Sequence, residues 1–581
     1  MSNKRNSYLV SKAMKNFLLA SILTMAVQQI NTTVDGIIVS NLVNPDALSA
    51  ISLYMPLSLA ISSFGSLLGI GATIVAARYL GELNKEKADK TLSTAVASVL
   101  VFGVLLGVIS LLVKDEIISI ICQEERLVEQ LDPYMTVMLG CSVVTMMGML
   151  TDQMIDVDGH PEYVTKAVLL SSVGNILLDF LFVAFLGWGI AGSAWATILA
   201  TLISMLYLWK HILSPRCSFT IKPFTLFSGS CMKINMQQGA SLVISNLVLM
   251  LMFATMNNII QTSQGSDGMF VFAICMNLLT LGMMFSSGVG SALMSIGGFL
   301  NGQQDYKGIG MLVNRGIVIL EGAILSIVVV IQICPNLITS LFGADTPELQ
   351  LYSNTVLRTF SWILPFVLLA LLAANIYQML GKLTLVPVTV LSFPLVLIPS
   401  MLLWVKFGGN DSVWYAFPQS GITILLLVFI LSQIVRRKEK GLKPFTLVPV
   451  AVEYHKLDLS IPADADAMKD SLKGITDFLS SFDISRRLCN DVNLCVEELM
   501  LNIVQHSGVS ALDRYFDVNI RFTGNEVIAS LKDDGKPFDP VKFSAEKRGM
   551  GLKILHSLCQ DIEYKYMYGQ NMTFLKWNIN N

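Results

Sequence analysis

Long apolar stretches separated by short polar segments fill the first three quarters of the chain. Each stretch has about 20 residues, which is the length that crosses the hydrocarbon core of a bilayer as a helix. Twelve stretches can be distinguished, so the pattern predicts a polytopic α-helical membrane protein. The predicted spans are residues 13–39, 48–80, 91–113, 131–155, 163–186, 190–210, 236–261, 268–300, 312–334, 351–379, 383–405 and 412–435.

The pattern changes near residue 443, where shorter amphipathic segments replace the long apolar stretches. Helical periodicity and strand-like alternation follow one another over the rest of the chain. This mixture predicts a two-layer α+β domain. The predicted helices are residues 465–480, 485–507 and 549–560, and the predicted strands are residues 450–459, 515–522, 526–532, 562–567 and 572–578.

Charge density separates the same two parts. The whole chain of 581 residues is 53% hydrophobic and 14% charged, whereas soluble proteins average about 25% charged residues. The part after Lys440 has this ordinary soluble density, and the part before it has less than half of it. This composition excludes a single soluble protein, a disordered chain and a disulfide scaffold. The net charge of −2 gives no reason to expect a nucleic acid partner.

Lys and Arg residues alternate between loops in a way that predicts the orientation in the membrane. Lys and Arg precede the first span and follow the even-numbered spans. We therefore expect a protein of the plasma membrane whose two termini and C-terminal domain lie in the cytoplasm. No small-residue cleavage site follows the first span, so we expect no cleaved signal peptide. The alternate loops without Lys or Arg are residues 40–47, 187–189, 262–267 and 335–350.

A short motif recurs in the two halves of the membrane part. Gly69 and Gly81 recur as Gly290 and Gly302, in each case 221 residues later in the chain. A short polar loop follows both copies of the motif. The offset predicts two six-helix repeats, which in transporters enclose a central cavity that opens to the two membrane faces in turn. The predicted divisions are a first half at residues 1–222, a second half at 223–440, a linker at 441–456 and a C-terminal domain at 457–581.

Several motifs of the membrane part occur in a specific order and spacing: Thr33–Ser40 followed by Pro45–Ala50, then Gly159-His-Pro, Asn175–Asp179 and Gly189–Thr197. With these motifs, residues 10–437 resemble the multidrug and toxic compound extrusion (MATE) transporters. The resemblance implies export of small molecules by antiport with H⁺ or Na⁺ across a lipid membrane.

Acidic residues within apolar spans cost about 3 kcal/mol each on insertion scales, so they indicate functional sites. The alternative is a hydrogen-bonded acid that only fixes packing. Asn175 and Asp179 share a helix face, because they are separated by one helical turn. The resemblance implies that a cation-coupling cluster is formed by Asp35, Asn175, Asp179 and Thr197, with Asp152 adjacent.

The second half is poorer in acids. Glu321 is its one plausible acid within a span, so coupling is expected to depend on the first half. The 29 Met and 29 Phe residues would suit an adaptable apolar pocket for amphipathic cations. The alternative is that they face lipid or fill the core.

Three motifs in the C-terminal domain suit a nucleotide. Glu498, Asn502 and His506 follow one helix face, where acid and amide oxygens can hold Mg²⁺. Asp533-Asp-Gly535 follows a predicted strand and forms a turn that could accept a hydrogen bond from adenine. Gly549-Met-Gly551 opens a predicted helix, whose bare backbone amides suit phosphate. Each motif alone is also typical of an ordinary turn, cap or solvated helix face.

Together and in this order, the motifs resemble those of GHKL-type ATPases over about residues 457–579, most closely the serine kinases that act as anti-sigma factors. The resemblance implies Mg-ATP binding, with Mg²⁺ on Asn502, adenine on Asp533 and the phosphates near Gly549 and Gly551. Glu498 would be the catalytic base, although Glu497 competes for that role. Hydrolysis, phosphoryl transfer to Ser or Thr, and binding alone all remain open.

Three functions therefore remain in competition. The first is a cation-coupled exporter with a regulatory ATP-binding domain and, through that domain, a cytoplasmic regulatory protein as partner. The second is a membrane-anchored kinase-like signalling protein that uses the transporter part as a sensor, and the third is a lipid or oligosaccharide flippase. The acids within the spans favour export. The nine cysteines form no CxxC pair, so they predict neither a metal site nor a disulfide.

Overall fold

The computed structural model describes residues 6–43, 45–121, 125–341, 346–450, 456–482, 484–506, 514–541 and 550–579. The chain forms two compact units, which are described separately. The first is the membrane unit, made of Leu18–Gln304 and Val313–Pro449. The second is the C-terminal unit, made of Val450–Asn581 together with Met1–Phe17 and Asp305–Leu312.

Helices are the only regular secondary structure among the described residues of the first half of the membrane part. Helices α6 and α7 are long and apolar enough to cross a membrane only when they are taken together, and they are bent by 53° where they meet. A one-turn π-helix precedes α3, and another, Phe180–Phe185, follows α8. The helices are α1 (Tyr8–Leu42), α2 (Pro45–Gly65), α3 (Gly71–Gly81), α4 (Lys85–Leu112), α5 (Lys114–Ile121), α6 (Glu125–Gly140), α7 (Ser142–Val157), α8 (Pro161–Asp179) and α9 (Gly189–Ile212).

The second half repeats this arrangement. Its first helix is broken at Gly265, where φ is 65° and ψ is −152°, so it forms two spans. Across the described residues eleven helices can cross a membrane, or twelve with the bent pair, which confirms the predicted polytopic fold. The helices are α10 (Gly229–Ala292), α11 (Gly298–Gly302), α12 (Tyr306–Ile333), α13 (Pro335–Leu341), α14 (Pro347–Ser361), α15 (Ile363–Met379), α16 (Leu385–Gly408) and α17 (Ala416–Lys438).

The glycines of the repeated motif meet at the contact between α3 and α11. A Cβ atom on Gly81 would lie 2.0 Å from the carbonyl oxygen of Phe299, and one on Gly302 would lie 2.0 Å from that of Arg78. Only glycine allows this backbone approach. Leu83 and Gln304, which correspond at the same offset as the glycines, both adopt left-handed backbone angles, with φ of 59° and 55°. The repeat seen in the sequence is therefore a repeat of backbone conformation.

The C-terminal domain has five antiparallel strands in the order β1-β2-β3-β5-β4. Its helices pack on the sheet through an apolar core that includes Ile475, Val492, Val496, Val518 and Leu575. This confirms the predicted two-layer α+β domain. The elements are β1 (Lys456–Pro462), α18 (Ala465–Ser480), α19 (Arg486–His506), β2 (Tyr515–Phe522), β3 (Glu526–Asp533), α20 (Met550–Leu558), β4 (Asp561–Met567) and β5 (Gln570–Asn578).

Candidate cation and nucleotide sites

Two carboxylates meet inside the membrane unit. Asp35 of α1 and Asp179 of α8 are close enough to interact directly. The Ser193 hydroxyl of α9 donates to Oδ1 of Asp35 at 3.2 Å. Asp179 is completely buried, and neither of its carboxylate oxygens has a hydrogen-bond partner within 3.5 Å among the described residues. A fully buried carboxylate beside a second carboxylate is unfavourable when it is ionised, so this pair suits a bound cation or proton.

The backbone around Asp179 explains how the pair is assembled. Asp179 is the last residue of α8, and the π-helical turn Phe180–Phe185 follows it directly. Such turns are frequent at functional sites. The chain then reverses through Gly187 and Gly189, both with positive φ, and Trp188 stacks on Phe182 at 4.9 Å between ring centroids. This reversal returns α9 alongside α8, and Ser193 thereby faces the carboxylates.

A pair of amides lies one turn along the same helices. The side-chain amide of Asn31 donates to Oδ1 of Asn175 at 3.2 Å. Nδ2 of Asn175 and Oδ1 of Asn31 are buried without hydrogen-bond partners among the described residues. The predicted Asn175 and Asp179 therefore do share a face, and that face points toward α1. Unpartnered amide atoms beside two carboxylates form a polar site that can coordinate a cation through oxygen.

The structure places the other predicted members of this cluster differently. Thr197 is half-buried on α9, and no hydrogen bond from its side chain to either carboxylate is found in the described part of the chain. Ser193, one turn earlier, makes the contact instead. Asp152 interacts with Asp156, one turn later on α7, and no interaction with Asp35 or Asp179 is found among the described residues. Asp152 and Asp156 thus lie on one face of α7, and a role of Asp152 beside the carboxylate pair stays a prediction.

A cavity of about 220 Å³ lies between the two halves of the membrane unit. The first half contributes Thr73 and Gln153, and the second contributes Asn375 and three serines of α10 and the π-helical turn after it. Met294 is the one Met or Phe side chain among its described lining residues, so the expected Met- and Phe-rich pocket is not what lines this cavity. The serines are Ser287, Ser291 and Ser295.

The C-terminal domain has a pocket of about 160 Å³ beneath β3 and α19. Asn502 and Asp533, predicted from separate motifs, both line it. Asn571 and Thr573 of β5 also line it, although no sequence motif identified them. They reach the pocket because β5 pairs with β3, with Asn571 opposite Asp533 in the register.

Hydrogen bonds hold the Asp533 carboxylate in place. Its Oδ1 accepts from the Gly535 backbone amide at 2.8 Å and from Nδ2 of Asn571 at 2.9 Å. Burial raises the pKa of Asp533, and these two donors act in the opposite direction. Asn571 is itself fixed, because its Oδ1 accepts from the hydroxyl of Tyr564 at 2.6 Å. A carboxylate held in this way can accept a hydrogen bond from the amine of an adenine ring.

The described lining of this pocket would suit a nucleotide, with the amide oxygen of Asn502 as the atom that could hold Mg²⁺. Nδ2 of Asn502 is buried without a hydrogen-bond partner among the described residues, so a ligand in the pocket would satisfy it. Glu498 lies one turn earlier on α19, and Lys536 adds a positive charge to the lining. The helix expected to open at the third motif is present as α20. Gly549 lies outside the described residues, and Gly551 is in the first turn of α20.

The first turns of α1 contact the C-terminal domain within the same compact unit. The hydroxyl of Tyr8 donates to Oδ2 of Asp534 at 2.8 Å, and the Lys12 ammonium forms an ion pair with the same oxygen. Nε2 of Gln570 donates to the carbonyl of Leu9 at 2.7 Å. Since Asp534 follows Asp533 directly, the first turns of α1 are attached beside the pocket that Asp533 lines.

Comparison with known families follows the same division of the chain. The MatE family profile matches residues 20–181 and again residues 241–403. The starts of these two matches are separated by the same offset as Gly69 and Gly290 of the repeated motif. The profile described as histidine kinase-like ATPase domain matches residues 461–577.

Curated relatives match parts of the membrane unit. The multidrug export protein MepA of Staphylococcus haemolyticus (strain JCSC1435) is 26% identical over 265 residues, which are 44% of this chain and 58% of that protein. The probable multidrug resistance protein YoeA of Bacillus subtilis (strain 168) is 24% identical over 216 residues, 36% of this chain and 47% of that protein. The chain thus spans about half the length of the curated relatives that it matches.

Solved structures share the fold. A multidrug resistance MATE transporter of the MOP superfamily in an outward-facing conformation has a TM-score of 0.68 at 21% identity, covering 75% of this chain and 99% of that chain. A MATE structure in a bent conformation has a TM-score of 0.69 at 22% identity, covering 75% and 98%. A MOP superfamily transporter from Pyrococcus furiosus has a TM-score of 0.68 at 21% identity, covering 76% and 100%.

Proposed function

The chain belongs to the MatE family, and on that premise we propose that it exports small amphipathic cations in exchange for H⁺ or Na⁺. The observation that carries this proposal is the pair formed by Asp35 and the fully buried Asp179. One curated relative is named a multidrug export protein and another a probable multidrug resistance protein, which supports small molecules as the exported compounds.

The carboxylate pair provides the coupling step. Two adjacent carboxylates repel one another when both are ionised, and a bound proton or Na⁺ removes that repulsion. Because Asp35 is on α1 and Asp179 on α8, neutralising the pair changes how these two helices pack. The cation therefore favours one arrangement of the membrane unit and the exported compound favours the other, as a two-state exchange requires.

The cavity between the halves is where the exported compound would bind. Its polar lining consists of hydroxyl and amide side chains without a formal charge. Such a surface accepts a cation without an ion pair that would hinder release. The contribution of both halves allows access to alternate when the halves move.

Transport in proteoliposomes with an imposed H⁺ or Na⁺ gradient tests this proposal. Asp35→Asn should abolish gradient-driven uptake of a fluorescent amphipathic cation, because the pair loses its exchangeable charge. Glu321→Gln is the matched control, since it neutralises the in-span acid of the second half and should leave transport intact. Gradient-driven transport by a correctly inserted Asp35→Asn variant would refute the proposed coupling site.

The C-terminal domain is proposed to regulate export by binding ATP. Bound ATP would supply adenine for Asp533 and phosphate-held Mg²⁺ for Asn502. A rearrangement at Asp533 shifts the adjacent Asp534, to which Tyr8 and Lys12 are bonded. Helix α1 is continuous from Tyr8 to Leu42 and carries Asp35, so a displacement of its first turns would be transmitted along the helix to Asp35.

Two variants separate nucleotide binding from its transmission. Asn502→Ala should lose both ATP binding and the effect of ATP on transport. Lys12→Met should keep ATP binding and lose only the effect, because it removes the ion pair to Asp534. Lys15→Met is the matched control, since Lys15 is exposed on the same helix. An ATP effect that persists in Lys12→Met would show that this contact does not transmit it.

A further inference from the structure

A cluster of two histidines and an aspartate lies at the turn between α7 and α8. Asp158 ends α7, His160 precedes α8, and His211 is in the last turn of α9. Asp179 lies at the other end of α8, about 27 Å away along a helix of this length. The cluster is therefore separate from the carboxylate pair, and no motif used so far includes all three residues.

The three side chains converge on one point. One ligand atom from each of Asp158, His160 and His211 lies within 4.8 Å of the other two. Nε2 of His211 is 2.7 Å from Oδ2 of Asp158. Asp158 is fully buried, and the side chain of His211 is 6% exposed. Three such atoms in so small a space form a partial coordination shell.

Neighbouring groups hold these side chains in position. Glu162 Oε1 lies 2.9 Å from Nδ1 of His160, and a carboxylate on one ring nitrogen is the usual partner of a metal-binding histidine. The backbone amide of Ser218 donates to Oδ1 of Asp158 at 2.7 Å, which leaves Oδ2 directed at His211. The ring of His211 lies against Tyr163, with centroids 4.6 Å apart.

The second half of the protein builds the same turn without this cluster. Gly159 and Gly381 have φ of 82° and 75°, and the same backbone hydrogen bonds close both turns. Leu380 and Lys382 stand beside Gly381, where Asp158 and His160 stand beside Gly159. Lys382 forms an ion pair with Glu439. Since the turn folds with Leu and Lys, the fold itself does not require Asp158 and His160.

We propose that Asp158, His160 and His211 bind a divalent transition metal ion, for which Zn²⁺ is the best match. Two imidazoles and a carboxylate suit Zn²⁺, whereas Mg²⁺ and Ca²⁺ prefer oxygen ligands alone. The Cys217 thiol lies beside Asp158 and is not one of the three converging ligands. The bound ion would fasten the α7–α8 turn to the end of α9 and to the segment around Ser218.

Zinc binding to the purified full-length protein tests the proposal. After removal of metal with a chelator, the wild type is titrated with Zn²⁺ against a chromophoric competitor, and bound metal is counted by mass spectrometry. We expect one Zn²⁺ per chain beyond what the His160→Gln/His211→Gln variant retains. Glu162→Gln should weaken binding about ten- to a hundredfold, as loss of such a partner does.

Controls separate a specific site from surface binding and from misfolding. Lys382→Gln alters the equivalent turn of the second half and should leave zinc affinity unchanged. Zn²⁺ should raise the melting temperature of the wild type but not of the double glutamine variant, which keeps a hydrogen-bonding side chain at both positions. Equal zinc content in the wild type and in a double variant of the same elution volume and helicity would overturn the proposal.

Discussion

Replacement of Gly81 by alanine would test the contact that joins the two halves. The new methyl carbon would lie 2.0 Å from the Phe299 carbonyl oxygen and 3.1 Å from Cα of Gly302. Carbon and oxygen atoms approach no closer than about 3.3 Å even in close backbone packing. Helix α3 or α11 must therefore move by about 1.3 Å, because the obstructing atom belongs to the backbone and cannot rotate away.

The magnitude follows from the rigidity of the obstruction. Overpacking of a filled site costs about 1–3 kcal/mol, and a backbone obstacle places Gly81→Ala near the upper end. A free-energy difference of about 1.4 kcal/mol changes an equilibrium constant tenfold. A cost of about 3 kcal/mol would therefore lower the population of the described arrangement of α3 and α11 roughly a hundredfold. We expect a lower melting temperature and slower export together.

Thermal stability in detergent, measured by fluorescence-detected size exclusion, and transport in proteoliposomes provide the assay. Gly322→Ala is the matched control, because a Cβ on Gly322 in the interior of α12 would meet nothing within 4 Å. It should be neutral or stabilising by about 1 kcal/mol through helix propensity. Gly302→Ala should resemble Gly81→Ala, and the double variant should cost less than the sum, because both residues share one contact. Wild-type stability and transport in Gly81→Ala would refute this reasoning.

Three further outcomes can be measured on the full chain. Asn571→Ala should weaken binding of a fluorescent ATP analogue about tenfold, since it removes one hydrogen bond that positions Asp533. Burial acts to raise the pKa of Asp534, but hydrogen bonds from Lys12 and Tyr8 and the charges of Lys12 and Arg514 outweigh it and lower the pKa. The stability that Asp534 contributes is therefore present at neutral pH and is lost as the pH falls below about 4. Asp534→Asn should for this reason make the melting temperature less dependent on pH in the acid range. Gly187→Ala should lower the stability by about 1–2 kcal/mol in thermal unfolding despite open space around it, because its φ is 66°.

The fold could be predicted closely because its signals are local. Twelve apolar stretches correspond to the described helices, and the helix at residues 465–480 and the strand at 515–522 have the predicted bounds. Apolar length and period-two alternation are properties of short windows of sequence. In the predicted strand at 450–459, Val450 is not in a strand, residues 451–455 lie outside the described part, and β1 begins at Lys456.

The sites could be predicted only in part, because they combine distant residues. Asp35, Asn175 and Asp179 were signalled by polarity inside apolar spans, whereas Ser193 looked like any small residue of a packed helix. Asn571 became visible only through the register of β5 against β3. Cysteine spacing gives no signal for the cluster of Asp158, His160 and His211, because none of its three members is a cysteine. The chain has only five histidines, and two of them lie next to Asp158 in space. The sequence separates these two histidines by 51 residues, so it does not show that they meet.

The course of α1 has a consequence for biosynthesis. Leu9, Met14 and Phe17 are nearly completely buried, and Leu9 and Phe17 contact Gln570 and Tyr568. The ribosome makes these partners long after α1, so the start of α1 must remain uncovered while the intervening spans are inserted. An apolar segment that stays exposed during synthesis is a target for chaperones and proteases. Chains that stop before β5 would keep it exposed, and quality control could recognise them by their first helix rather than by their broken end.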